Sequence, residues 1–229
     1  MERQTTVQLD GHTVAVRLRR NKRARRLILR LDGEGVVVTL PPGSGVAEGL
    51  DLVARESDWV LKQLAARPAR VPFEDGAVIP VLGVDHTVHY RPGGGPPVEA
   101  MAGEILVTGR PEHLARRLGD WLRDEARRQI EPGVATLTTR IGRRAGRITM
   151  RDPKTRWASC AADGGLSFSW RLVMAPEPVL AYVVAHEIAH LVERGHGLAF
   201  WGLVSELFDG VDDARAWLRT DGPGLHRYG

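Results

Sequence analysis

The stretch His186-Glu187-Ile188-Ala189-His190, followed by His196, decides how the second half of this 229-residue chain is interpreted. Two histidines four residues apart lie on one face of a helix, about one turn from each other. Both imidazoles can therefore reach a single metal ion. Glu187 lies beside the first of them, where its carboxylate can face a water molecule at the metal. Nitrogen ligands and a nearby base are what metal-assisted hydrolysis needs.

The residues around this motif are typical of a buried helix. Pro176, Glu177 and Pro178 predict a helix start, with an acidic side chain in the first turn. The apolar run 179–185 follows and supplies the buried face. Gly195 is interpreted as the end of the helix, with a positive φ. His196 comes directly after it, where a chain leaving the helix can turn back toward the metal.

The third metal ligand has more than one candidate. The spacing from His190 to His196 equals that of the extended metzincin motif, but Glu193 occupies the position where that class has glycine. A glutamate could serve instead, either Glu193 or Glu206 on the next predicted helix. We favour His196, because it completes the set of three histidines known for catalytic zinc.

Composition limits the class of protein. The content of hydrophobic residues is 43% and that of charged residues 26%, which is ordinary for a globular protein. A single cysteine, Cys160, excludes an internal disulfide. The sequence has neither a long apolar run nor an apolar segment at its N-terminus, so we expect no membrane partner and no signal peptide. A cytoplasmic location is the default expectation.

The net charge is +4, and the basic residues are unevenly placed. The stretch from Arg17 to Arg30 contains eight basic residues and no acidic one. Such a cluster can bind the phosphates of nucleic acid or of a polyphosphate. It can equally be a solvated surface in a chain that uses 29 Arg and only 3 Lys. The sequence alone leaves both interpretations open.

The predicted elements place the chain in the α+β class. Residues 1–110 are predicted to form a β-rich N-terminal domain with one helix, from Val46 to about Ala66. Residues 111–229 are predicted to form a mainly helical catalytic domain of the zincin type with a small sheet. Its predicted helices include 111–130 and 132–141, separated at Pro132, and its hairpin turns at Asp163-Gly164-Gly165.

Two further motifs link the chain to a known family. One is the segment 152–160 upstream of the helix, and the other is the segment 196–201 downstream of it. Together with the histidine motif, they make the chain resemble the YgjP-like metal-dependent hydrolases, relatives of the SprT-like and minigluzincin zinc peptidases. The matching positions are Lys154, Arg156, Trp157, Ser159, Cys160, Phe200 and Trp201. The chain departs from the family pattern at Ala158, usually glycine, and at Gly197, usually serine.

The resemblance implies a site and a mechanism. It implies one zinc ion held by His186, His190 and His196, with Glu187 as general base for the attack of water. Lys154 or Arg156 would then stabilise the developing oxyanion or a substrate phosphate. A structural role for these two cations is the alternative. The strand from Leu166 to Trp170 is expected to be an exposed edge beside the metal, where an extended peptide could pair.

Three functions compete at this point. Peptide hydrolysis by a zinc-dependent hydrolase is the leading hypothesis, because it follows from the histidine motif and the resemblance together. A second hypothesis keeps the metal but takes a nucleotide, since members of this family have also been described as nucleoside triphosphate pyrophosphatases acting on UTP. The third is a protease that acts near DNA, as SprT-like proteases do, with nucleic acid contacting Arg17 to Arg30.

Overall fold

A computed structural model of the chain describes residues 2–32, 35–65 and 69–229. The chain forms two compact units, Met1–Ala69 and Arg70–Gly229. The sequence placed the domain boundary between residues 110 and 111, whereas the strands between residues 78 and 108 lie within the second unit. Their apolar side chains share its core with Leu118 and Leu122. Small sheets combined with long helices confirm the predicted α+β class.

The first unit is a four-stranded sheet with two helices packed on one face. Its elements are β1 (Glu2–Leu9), β2 (His12–Arg20), β3 (Ile28–Asp32), β4 (Gly35–Leu40), α1 (Val46–Arg55) and α2 (Ser57–Ala65). The strand order is β1-β2-β4-β3, and β2 and β4 run parallel. Alternate side chains such as Val16 and Val38 are fully buried beneath the helices.

The helix predicted from Val46 to about Ala66 is two helices in the structure, so that prediction was wrong within the described residues. The chain leaves helical geometry at Glu56, with φ −98° and ψ 22°. Ser57 follows and begins α2. Serine competes for hydrogen bonds with the backbone and favours helix starts over helix interiors, which is the physical reason for the break.

The second unit begins with another four-stranded sheet. Its strands are β5 (Val78–Val81), β6 (Val84–Arg91), β7 (Val98–Met101) and β8 (Glu104–Thr108), in the order β5-β6-β8-β7. The turn between β5 and β6 is Leu82-Gly83, with φ values of 50° and 80°. A Cβ at Gly83 would lie 3.0 Å from the Cα of Pro176. Glycine is needed here both for the positive φ and for this close approach.

A single long helix, α3 (Leu114–Arg140), replaces the two helices that the sequence predicted. Proline inside a helix costs about 3 kcal/mol, which is why a break at Pro132 was expected. The helix nevertheless continues, because one face is buried at four-residue spacing along its length. These buried residues are Leu114, Leu118, Leu122, Ala126, Ile130, Val134 and Thr138. Their burial outweighs the local cost of the proline.

A three-stranded sheet follows, made of β9 (Ile148–Arg151), β10 (Ala158–Cys160) and β11 (Leu166–Ser169). The order is β10-β11-β9, with β10 antiparallel and β9 parallel to β11. The expectation that the strand beginning at Leu166 is an exposed edge was therefore wrong. It is the central strand, and Leu166 and Phe168 are buried because both neighbours are occupied.

The remaining helices complete the second unit. They are α4 (Glu177–Ala189), α5 (Leu198–Leu207) and α6 (Val211–Thr220), with short 3₁₀ segments at Trp170–Met174 and Gly222–Arg227. The helix α4 passes through the core, and nine of its thirteen residues are buried. Along the described ranges, no helix combines the length and the apolar character required to cross a membrane.

Candidate metal centre

The helix α4 brings two histidines to its C-terminal end. Pro176 precedes its first turn and Glu177 lies within it, as the sequence predicted. His186 lies in the last turn and His190 caps the end of the helix. Their ring centroids are 5.0 Å apart, which the four-residue spacing of a helix accounts for. The core around α4 fixes the position of both rings.

A tight loop returns the chain from His190 to the third histidine. The helix ends at Ala189, and the glycines with positive φ in the described residues do not include Gly195. The prediction that Gly195 ends the helix was therefore wrong, because the turn begins six residues earlier. Arg194 fixes the loop by donating to the carbonyl oxygens of Ala161 and Ala162, at 2.9 and 2.7 Å.

The loop places His196 against the two helix histidines. The Nε2 atoms of His196 and His186 are 3.3 Å apart, and one ring nitrogen from each of the three histidines lies within 4.8 Å of the others. His196 is exposed, and the other two rings are half-buried, so the cluster opens to solvent on one side. Glu193 and Glu206, the alternative third ligands, do not belong to this cluster.

Neighbouring groups hold the rings in suitable tautomers. The carbonyl oxygen of Glu193 lies 3.0 Å from Nδ1 of His190, so Nδ1 donates and Nε2 keeps its lone pair. The hydroxyl oxygen of Tyr182 lies 3.4 Å from Nδ1 of His186. This contact leaves Nε2 of His186 directed toward His196. Such partners orient histidine ligands in metal sites.

An aromatic side chain packs against all three histidines. The ring of Phe200 is stacked on His190 with a centroid distance of 4.5 Å, and it meets His186 and His196 edge-on at 4.9 and 4.7 Å. Phe200 is only 1% exposed, which confirms the prediction that it is a core residue. Trp201 lies 5.9 Å from two of the rings and is half-buried.

The surroundings keep the helix histidines uncharged. Burial, together with the charges of the two neighbouring histidines, lowers the pKa of His186 to about 4. Burial also lowers the pKa of His190. A neutral imidazole offers a lone pair, as a metal ligand must. Three convergent imidazoles, of which the two on the helix are kept neutral, therefore fit a divalent cation such as zinc.

Glu187 lies next to this cluster as a buried carboxyl group. Its side chain is 5% exposed, and its Oε2 atom is buried without a hydrogen-bond partner among the described residues. Burial raises its pKa to about 7, although the charge of Arg156 acts in the opposite direction. An unpartnered buried oxygen is costly, so its presence beside the histidines fits a site completed by a bound group.

The two predicted cations lie in different surroundings. Arg156 is exposed, and its charge acts on Glu187. Within the described residues it has no hydrogen bond, ion pair or ring contact, which leaves its guanidinium group available to a substrate. The charge of Lys154 acts instead on Asp152 and on His226. The structure therefore associates Arg156 with the metal centre more closely than Lys154.

Trp157 and Cys160 have structural contacts. Trp157 stacks on His226 with a centroid distance of 5.4 Å, and a Cβ at Gly222 would lie 3.0 Å from its ring. Trp157 thus packs against the C-terminal segment. The thiol of Cys160 donates to the carbonyl oxygen of Ala161, and burial raises its pKa.

Two residues of the site were not identified from the sequence. Tyr182 precedes His186 by four residues on the same helix, and this spacing was a usable signal for a side-chain contact. Arg194 had no such signal, because its carbonyl partners in the β10–β11 turn are more than thirty residues away in the chain.

The three-histidine cluster could hold a metal ion, and a family match assigns the class of protein. The family model described as YgjP-like, metallopeptidase domain, matches residues 25–221. The chain belongs to this family, which confirms the resemblance seen in its motifs. It is therefore a metal-dependent hydrolase with a peptidase domain.

Two solved structures are similar to a part of the chain. They are the metallopeptidase zymogens abylysin of Pyrococcus abyssi and jannalysin of Methanocaldococcus jannaschii, with 20% and 19% identity. Each match covers 40% of this chain and 95% of the other, with TM-scores of 0.36 and 0.37. No curated protein matches the chain. The assignment rests on the family match alone.

Proposed function

We propose that the chain hydrolyses peptide bonds at a single zinc ion bound by His186, His190 and His196. The observation that carries this proposal is the convergence of three imidazoles beside the buried carboxyl group of Glu187. The peptide bond as the target follows from the peptidase domain of the family. Three histidines leave a coordination position for the reacting groups, as catalytic zinc sites require.

Glu187 is the proposed general base. A zinc ion held by the three histidines would supply positive charge that polarises the scissile carbonyl group and makes a water molecule easier to deprotonate. The unpartnered oxygen of Glu187 accepts the proton of the water that attacks the carbonyl carbon. Glu187 then passes this proton to the leaving amine as the C–N bond breaks.

Arg156 is the proposed partner of the developing oxyanion. Its guanidinium group has no hydrogen bond or ion pair among the described residues. Its positive charge lowers the pKa of Glu187, against the effect of burial. A positive charge near the carbonyl oxygen stabilises the transition state more than the ground state. Lys154 is the alternative, with a weaker case because its charge acts on Asp152 and His226.

The free edge of β10 is the proposed binding surface for the peptide. The N–H of Ser169 donates to the carbonyl of Trp157, so these two residues form a hydrogen-bonded pair. From there, non-hydrogen-bonded and hydrogen-bonded pairs alternate along the strand. Ala158 and Cys160 therefore direct their backbone groups away from β11. The strand β10 packs beside α4, which carries the metal ligands. An extended peptide paired with β10 would thus pass the metal centre.

The other two hypotheses stay predictions. The basic residues between Arg17 and Arg30 lie in the first unit, whereas the metal centre lies in the second. The position of these basic residues therefore gives no information about the substrate of the metal centre. No observation on the described residues favours a nucleoside triphosphate substrate or DNA-bound proteins over peptides.

Metal removal and one ligand variant test the proposed function. Chelation should abolish cleavage of casein, an unfolded protein substrate, and about one equivalent of zinc should restore it. The variant His196→Ala should bind zinc about tenfold or more weakly and should lose activity. The matched control is His12→Ala, an exposed histidine on β2. Wild-type zinc affinity in His196→Ala would contradict the ligand assignment, and activity that survives chelation would contradict the mechanism.

A further inference from the structure

We propose that the outer edge of β9 binds an extended, acidic polypeptide segment. A groove of about 660 Å³ runs between this strand and α3. It is lined by residues 146–151 and, from α3, by Arg127 and Glu131. The strand β9 lies at the opposite edge of the three-stranded sheet from β10. The groove is therefore separate from the metal centre, and the proposal does not rest on the proposed function.

The backbone groups of β9 that face away from β11 have no backbone partner among the described residues, and one of them, the carbonyl of Ile148, accepts a hydrogen bond from the Arg127 side chain. The N–H of Leu166 donates to the carbonyl of Arg147, and the register pairs Leu166 with Ile148. In a parallel ladder this means that Arg147, Thr149 and Arg151 direct their backbone groups toward β11. Ile148 and Met150 consequently direct theirs into the groove. An added strand could pair with the N–H groups of Ile148 and Met150 and with the carbonyl of Met150, as in other complexes formed by strand addition.

The charges around the groove select an acidic partner. Arg147 and Arg151 are exposed, and their guanidinium groups make no ion pair or hydrogen bond within the described part of the chain. Arg127 pairs with Glu131 at 2.8 Å and also donates to the carbonyl of Ile148 at 3.4 Å. The groove thus carries three arginines and one glutamate. Arginine presents a forked donor that matches a carboxylate.

The alternation of side chains along β9 determines which sequence pattern the bound segment needs. Ile148 and Met150 pack toward the core of the second unit. Arg147 and Arg151 point to the opposite face, because side chains alternate along a strand. A paired segment with acidic residues at every second position would place them on the same face as these arginines. A nucleic acid could meet the arginines, but it could not pair with the backbone of β9.

A labelled peptide tests the proposal directly. The probe is a fluorescent ten-residue peptide of alternating valine and glutamate, and the readout is fluorescence anisotropy with the full chain. The double variant R147E/R151E should bind it about tenfold or more weakly. The matched control is R143E/R144E, which changes the charge equally at two exposed arginines outside the groove. The control should bind within about twofold of wild type.

Backbone pairing is tested with two methylated peptides. One carries methyl groups on all valine nitrogens and the other on all glutamate nitrogens, so the two block opposite edges of the peptide. Loss of binding by only one of them supports strand addition. Equal binding by both would overturn the proposal. Wild-type binding by R147E/R151E would also overturn it, as would tighter binding of a single-stranded oligonucleotide at the same arginines.

Discussion

At the metal centre, the sequence predicts some of the residues that come together but not the contacts that orient their side chains. The convergence of His186 and His190 could be predicted from their spacing, because helical geometry is regular. His196 lies beyond the helix, so the sequence could only favour it over Glu193 and Glu206 as the third ligand. The contacts that orient the rings could not. The carbonyl of Glu193 meets His190 only because the helix ends at Ala189, and the sequence suggested a later end.

The roles of Arg156 and Lys154 can be distinguished by substituting each residue in turn. The variant Arg156→Gln should lower kcat/KM about tenfold or more, because a positive charge near the oxyanion is lost. The variant Lys154→Gln should stay within about twofold of wild type, since the charge of Lys154 acts on other groups. Steady-state kinetics at full metal loading measures both. Equal losses in the two variants would contradict the role given to Arg156.

Among the elements, strand order was the least predictable feature. The turn at Asp163-Gly164-Gly165 predicted the β10–β11 hairpin, and the structure confirms it. The sequence could not show that β9 pairs in parallel on the other side of β11, because parallel pairing is not encoded in a local turn. The helix α3 likewise continues through Pro132 because of contacts with distant residues.

Peptide binding along the edge of β10 can be tested by one substitution in that strand. Proline in place of Ala158 removes an N–H group that points away from β11, and proline is tolerated at such edge positions. The variant Ala158→Pro should raise KM for a peptide substrate about fivefold, as expected for one hydrogen bond of about 1 kcal/mol. Its kcat and its thermal unfolding midpoint should change little. An unchanged KM would contradict peptide binding along β10.

In the molecule as a whole, one buried arginine connects the sheet to the C-terminal segment. Arg171 is 5% exposed and donates to the carboxylate of Asp152 at 2.7 and 3.1 Å. It also donates to the carbonyl oxygens of Leu225 and Tyr228. Burial raises the pKa of Asp152, but the hydrogen bond and charge of Arg171 outweigh it, so that the pKa is lowered overall.

This lowered pKa predicts a dependence of stability on pH. Asp152 has a lower pKa in the folded than in the unfolded chain, so its ion pair stabilises the fold above about pH 4. The stabilisation is lost as the pH falls through the folded-state pKa. The charges of Lys154 and His226 also act on this carboxyl group, in the same direction as Arg171.

The variant Asp152→Asn measures this contribution. Urea unfolding at pH 7 should show a loss of about 1 kcal/mol, since the carboxylate is partly exposed and screened. The difference from wild type should shrink at pH 3. Asp124→Asn, at an exposed carboxyl group on α3, should show little difference at either pH. A difference that does not shrink in acid would contradict the ionic role of Asp152.

Catalysis by Glu187 at the metal centre is tested most directly by the rate of peptide hydrolysis by Glu187→Gln at zinc occupancy equal to that of wild type. We expect a rate at least about a hundredfold lower, with zinc still bound, because the base is lost and the three histidines remain. A wild-type rate in the fully loaded variant would contradict it.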